Sequence, residues 1–171
     1  MKILGEKSLS SKVIVGLNIL FILISIIDLF VLTLIAKSAK NIITNINIQN
    51  SIFDLLLFVM IIITGLIALF IIYQFIKIFK NLKNNILFSI NNSKSLNIIS
   101  NSCFIISTIY LIISILIIAI AKNLIDEFIY YILAFSIMLM IIFVVSGIGI
   151  KILNEIYKKA IEYKEENELT I

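Results

Sequence analysis

The run VIVGLNILFILISIIDLFVLTLIA, residues 13–36, decides the fold. A hydrocarbon core about 30 Å thick takes about 20 helical residues to cross, and this run is long enough. One acidic residue, Asp28, interrupts it. Eighteen of the run's residues are Val, Ile, Leu or Phe, each worth about −0.3 to −0.6 kcal/mol near the centre of an inserted helix. An Asp at that depth costs about 2.5–3.5 kcal/mol. The apolar sum wins, so the run reads as a transmembrane helix. It is too long for the h-region of a signal peptide, about 7–15 residues, and no good A-x-A site follows it. An uncleaved first span is expected.

Three more runs have the same character: residues 55–76, 103–121 and 128–150. Asp28 is the one charged residue inside any of the four, although the chain has 14 basic and 10 acidic residues. A soluble amphipathic helix would show charges on a solvent face every turn or two. The chain is 61% hydrophobic and 14% charged, with mean hydropathy +1.18. A soluble domain is about 25% charged. The expected fold is all-α: a polytopic membrane protein of one domain, residues 1–171, built as a four-helix transmembrane bundle.

The lysines predict its orientation. Lys2, Lys7 and Lys12 precede the first span; Lys77, Lys80, Lys83 and Lys94 lie between the second and third. Lys151, Lys158, Lys159 and Lys164 follow the fourth. The other two connections share Lys37, Lys40 and Lys122. By the positive-inside rule both termini and the connector 77–102 are cytoplasmic. The heavy use of Ile, Asn and Lys is that of an AT-rich bacterial genome, so the expected location is the bacterial inner membrane. The positive charge, +4, is then explained by topology. No basic helix with base-reading side chains is present, and direct nucleic-acid binding is not expected.

Composition also narrows the chemistry. There is no His, and every basic residue is Lys. That removes His-based triads, His-ligated zinc and arginine fingers. No P-loop or G-x-G-x-x-G occurs. The single cysteine, Cys103, stands at the edge of a span and reads as a small apolar residue. No catalytic residue, cofactor or metal site is expected, and the chain is not read as an enzyme.

The outer connections are short. Residues 37–51 hold no domain, and residues 122–127 make a tight link that should leave spans three and four antiparallel. The elaborated surface is the cytoplasmic one. Lys77, Lys80 and Lys83 extend one face of the second span's helix and suit anionic headgroups. Asn91-Asn92-Ser93 is a turn or N-cap signal, and from about Ser93 one helix should run on into the third span. The tail, residues 151–171, reads as an amphipathic helix with Ile152, Leu153, Ile156, Tyr157, Ala160 and Ile161 at helical spacing. Glu155 with Lys159 and Lys158 with Glu162 are opposite charges four apart. The acidic end, Glu162 to Glu168, opposes the helix dipole and should leave an anionic surface.

Two cytoplasmic stretches carry a resemblance. Residues 88–99, FSINNSKSLNII, are similar to a P-F-x-x-x-N-x-x-x-L-x-x-I pattern, with Leu87 in place of the Pro. The ending Glu166-Asn167-Glu168-Leu169-Thr170-Ile171 resembles E-N-D-L-T-I. Both belong to the bacterial membrane family catalogued as domain of unknown function 2975, which the whole chain resembles in span number and length. The resemblance implies a partner, because members are often encoded beside a small helix-turn-helix regulator. It implies no activity.

Two functional readings follow. In the first, the chain is a regulatory or sensory membrane component whose cytoplasmic face binds such a regulator. Asn92 would cap a helix, Phe88 and Leu96 would anchor the connector by packing, and Ile156, Tyr157, Glu166, Leu169 and Ile171 would be the tail's contacts. In the second, Asp28 and Asp54 form an intramembrane polar site serving ion or small-solute transport, or immunity to a membrane-active peptide. The lipid bilayer is a partner in both, and a homo-oligomer is compatible with both.

Overall fold

The computed structural model describes the backbone of residues 9–44, 48–121 and 127–169, with the side chains at 48–53, 120–121, 127–129 and 168–169 left undescribed. Four helices account for nearly all of it: α1 (Leu9–Ile43), α2 (Ile48–Lys83), α3 (Ile90–Ala121) and α4 (Glu127–Leu169). Among the described residues there is no strand. Each helix contains one of the four apolar runs, and each is long and apolar enough to cross a membrane. The chain is therefore a multi-pass, all-helical membrane protein. The reason is physical: in hydrocarbon every backbone N–H and C=O must be paired within the segment, and only a helix does this alone.

The chain divides into two compact units, Met1–Asn84 and Asn85–Ile171. Each is a helical hairpin, α1 with α2 and α3 with α4. The pairing of α3 with α4 is the antiparallel one expected from the short link, although residues 122–126 of that link lie outside the described ones.

The helices run past their spans, α4 the furthest. At 1.5 Å per residue, the 43 residues of α4 extend about 64 Å, twice the hydrocarbon thickness. The tail is therefore the continuation of the fourth span with no break between them. The last turn of α2 carries Lys80 and Lys83, where cations complement the helix dipole. The chain leaves α2 through Asn85, whose φ of 64° is left-handed. Asn tolerates that conformation better than most residues, and here it ends the helix where glycine often does.

α3 begins one turn earlier than Ser93. Its N-cap is Ser89: the Ser89 Oγ accepts from the backbone N–H of Asn92 at 3.2 Å, and the Ser89 carbonyl accepts from Asn92 and Ser93 at 3.0 and 3.3 Å. Asn92, expected to be the cap, is instead the third helical residue. Both residue types suit an N-cap. The choice falls on Ser89 because the Asn92 amide is engaged elsewhere, at Tyr157.

Candidate functional site: a connector–tail clasp

The connector and the tail meet at one phenol. The Tyr157 hydroxyl donates to the Leu87 carbonyl. It accepts from the backbone N–H of Ser89 at 3.3 Å and from Asn92 Nδ2 at 3.0 Å. One donor and two acceptor sites are all that a phenol has, so this hydroxyl is saturated. Asn92 Nδ2 also reaches the Leu87 carbonyl at 3.4 Å. The ring of Phe88 tilts against that of Tyr157, centroids 5.9 Å apart, in a favourable aromatic geometry. One helical turn closer to the membrane run, Ser93 Oγ donates to Asn154 Oδ1 at 2.8 Å. Asn92 and Asn154 are each only 1% exposed, so these are buried polar groups satisfied across the hairpin.

Three residues singled out for partner contact are thus brought together, with Phe88 and Asn92 each contacting Tyr157. Leu96 lies half-buried one turn after Asn92 in α3. Ile156 is exposed, as is Glu166. Leu169 is the last residue of α4, its side chain undescribed, and Ile171 lies outside the described residues. The expected apolar face of the tail is only partly buried: Tyr157, Ala160 and Ile161 are half-buried, while Ile152, Leu153 and Ile156 are exposed. Among the described tail residues the most buried is polar Asn154. The ion pair that forms is Lys158 with Glu155, 2.8 Å and three residues apart, rather than the pairs expected at four. It holds the Glu155 carboxyl below the usual carboxylate range, first through its hydrogen bond and then through the lysine's charge.

A seam of small polar residues continues the clasp along α3 and α4. Ser100 Oγ donates to the Gly147 carbonyl at 2.8 Å. A backbone carbonyl can accept across the interface only where the helices approach closely. Gly147 permits this: a Cβ there would stand 3.2 Å from the Phe104 ring. Further on, the Ser114 and Ser136 hydroxyls lie 2.8 Å apart. Each also has a carbonyl of its own helix within reach, Tyr110 and Leu133, so one proton crosses while the other bonds back. Tyr110 and Phe143 stack nearby, with centroids 6.3 Å apart.

By composition alone, serines such as Ser114 and Ser136 are ordinary in a span. The signal was nevertheless present. Ser93, Ser100, Ser107 and Ser114 recur every seven residues, the spacing that keeps one stripe facing a partner helix when the two cross with a left-handed supercoil. Without α4 in view, nothing distinguishes that stripe from serines bonding back to their own helix.

Asp28 and Asp54 are not brought together. Asp28 is buried, and its carboxyl fills the place where Gly65 of α2 lacks a Cβ. Asp54 is exposed near the start of α2. Gly65 and Asp54 are 11 residues apart on one helix, about 16 Å along the axis. No single ion or proton bridges that distance. Among the described residues no group of His, Cys, Asp and Glu could hold a metal ion. Cys103 is buried against the α3–α4 contact, where its Cβ would lie 3.4 Å from a Cβ at Gly147.

These features define a class: a multi-pass membrane protein whose last helix carries its own span outward into a structured clasp. The family model described as protein of unknown function (DUF2975) matches residues 37–171, and the chain belongs to that family. The match contains both halves of the clasp and begins after Asp28. No curated protein and no solved structure matches the chain.

Proposed function

We propose that the protein is a non-enzymatic regulatory or sensory component of the bacterial inner membrane, with both termini cytoplasmic. Its clasp face presents a docking surface to a small helix-turn-helix regulator. The observation that supports this reading is the saturated Tyr157 hydroxyl. It ties the connector to a helix that is continuous with the fourth span, so any shift of that span relative to α3 is felt at the clasp. A packed, hydrogen-bonded interface of this kind moves between discrete arrangements rather than deforming smoothly. Because Asn92 and Tyr157 are committed to each other, the partner contacts are the exposed neighbours, Phe88 and Ile156, together with the acidic end that includes Glu166.

The test is co-purification of the tagged full-length chain from its native cells in gentle detergent, with mass spectrometry of what accompanies it. A small helix-turn-helix protein is expected, and deleting residues 165–171 should release it and change transcription of its targets. Retention of the partner and unchanged transcription after that deletion would remove the tail from the docking surface. Recovery of the chain alone, or with transport subunits, would remove the regulator. The Asp28–Asp54 version of the transport or immunity reading has no observation in its favour, given the separation of the two acids.

A further inference from the structure

We infer that the Asp28 carboxyl, seated in the notch left by Gly65, is a proton-binding site within the first hairpin. Asp28 is 8% exposed, and among the described residues its Oδ2 has no hydrogen-bond partner. The notch is built for the carboxyl: a Cβ on Gly65 would stand 2.7 Å from Asp28 Cγ, too close for any real contact. The adjacent hydroxyl does not serve it, since Thr64 Oγ1 donates to the Ile61 carbonyl at 2.9 Å.

No countercharge lies within reach along either helix of the hairpin. On α1 the nearest charged residues are Lys12 and Lys37, about 24 and 13 Å away along the axis. On α2 they are Asp54 and Lys77, about 16 and 18 Å from the level of Gly65. Tyr73 is the one other titratable group of the α2 span, about 12 Å along from Gly65. A metal ion would require several oxygen ligands, and the notch offers one carboxyl. A proton needs one oxygen and leaves the acid neutral. It is the ligand this chemistry fits.

The consequence is a hairpin whose packing follows its protonation. The neutral acid lies comfortably in an apolar notch. The anion does not, because a buried charge must be paired or hydrated. Losing the proton therefore favours an arrangement in which the carboxyl leaves Gly65 and turns toward the nearer headgroups. This inference stands apart from the regulator reading and needs no partner.

The test is infrared difference spectroscopy of the full chain in phosphatidylcholine liposomes, with bulk pH stepped from about 4 to about 10. The wild-type-minus-Asp28→Asn spectrum should contain a protonated-carboxyl carbonyl band that titrates as a single proton. Its amplitude should fall about tenfold per pH unit above the midpoint. Gly65→Ala should shift that band, because the new methyl expels the carboxyl, whereas Asp54→Asn should leave it unchanged. A difference spectrum with no pH-dependent carboxyl band would overturn the proposal. So would a band whose midpoint moves when sodium is replaced by choline, which would make the ligand a cation. Should Asp28→Asn fail to insert, the Asp54→Asn, Asp126→Asn double variant retains Asp28 as its one aspartate, and heavy-isotope labelling of the aspartate carboxyl carbon separates its band from those of the glutamates and gives the same reading.

Discussion

The two hairpins solve the same problem with opposite chemistry. Within the spans of α1 and α2, the hydroxyls of Ser25, Thr33 and Thr64 turn back on their own helix, to the carbonyls of Phe21, Phe30 and Ile61. The one carboxyl there, Asp28, is lodged in a notch instead of a hydrogen-bond pair. In α3 and α4 Thr108 also turns back on its own helix, but a series of polar side chains reaches across, from Asn92 and Ser93 through Ser100 to Ser114. Lipid tails are as apolar as leucine, so apolar burial does little to choose a helix's neighbour in a membrane. Close packing and interhelical hydrogen bonds do. The second hairpin is therefore specified in register by its own polar seam. The first is specified mainly by shape, and by one acid.

The largest blow to this contrast should come from Gly147→Leu. It drives a branched side chain into the Phe104 ring and separates Ser100 from its acceptor. The expected loss is about 3 kcal/mol, an overpacking cost plus an unmade buried hydrogen bond. It would be read from unfolding in mixed micelles, and a loss below about 1 kcal/mol would mean that the close approach carries little of the hairpin's stability.

Tyr157→Phe keeps the ring against Phe88 and removes only the hydroxyl. The buried Asn92 amide and the Ser89 N–H each lose an acceptor, for an expected cost of about 1–2 kcal/mol. Faster hydrogen exchange should be confined to the first turn of α3 and the middle of the tail. Uniform acceleration along α4 would show that the clasp is not a local unit.

Ser114→Ala should cost about 0.6 kcal/mol, the usual value for an interhelical hydrogen bond in a membrane. Ser25→Ala, which removes only a bond within α1, should cost close to nothing. Equal effects of the two would erase the distinction between the hairpins.

The smallest effect concerns Glu155. Its carboxyl is held below the ordinary range by Lys158, so the contribution of the pair is present at neutral pH. It is lost as pH falls through the folded-state value, with protonation of Glu155. The tail around residue 155 should fray on acidification below about pH 4, and salt should weaken the same contact. Amide exchange in the tail that stayed constant across that range would leave the ion pair without a role.

The four spans were legible because their cause is additive along the chain. Transfer of each apolar side chain into hydrocarbon contributes on its own, so a run of 24 residues declares itself without reference to any other part of the molecule. The same arithmetic admitted Asp28 to a span. The clasp was legible only in pieces. Phe88, Asn92 and Tyr157 stood out in two separate stretches, and nothing in either stretch said that the two would meet. Asn92 was misplaced by three residues as a cap, because Ser89 and Asn92 are both good caps and local chemistry does not rank them. The rank is set by Tyr157, 65 residues further on.

What the sequence by itself determined is therefore the class: all-helical, membrane-spanning, four runs, with an elaborated stretch between the second and third and another after the fourth. Tertiary structure alone decided that the connector and the tail meet at Tyr157 and that the serine stripe faces α4. It also decided that the Asp28 carboxyl rests on Gly65 and away from Asp54. The physical reason is the range of the forces. Hydrophobic transfer is a property of each residue, whereas a hydrogen bond or a glycine notch exists only where two helices have already come together.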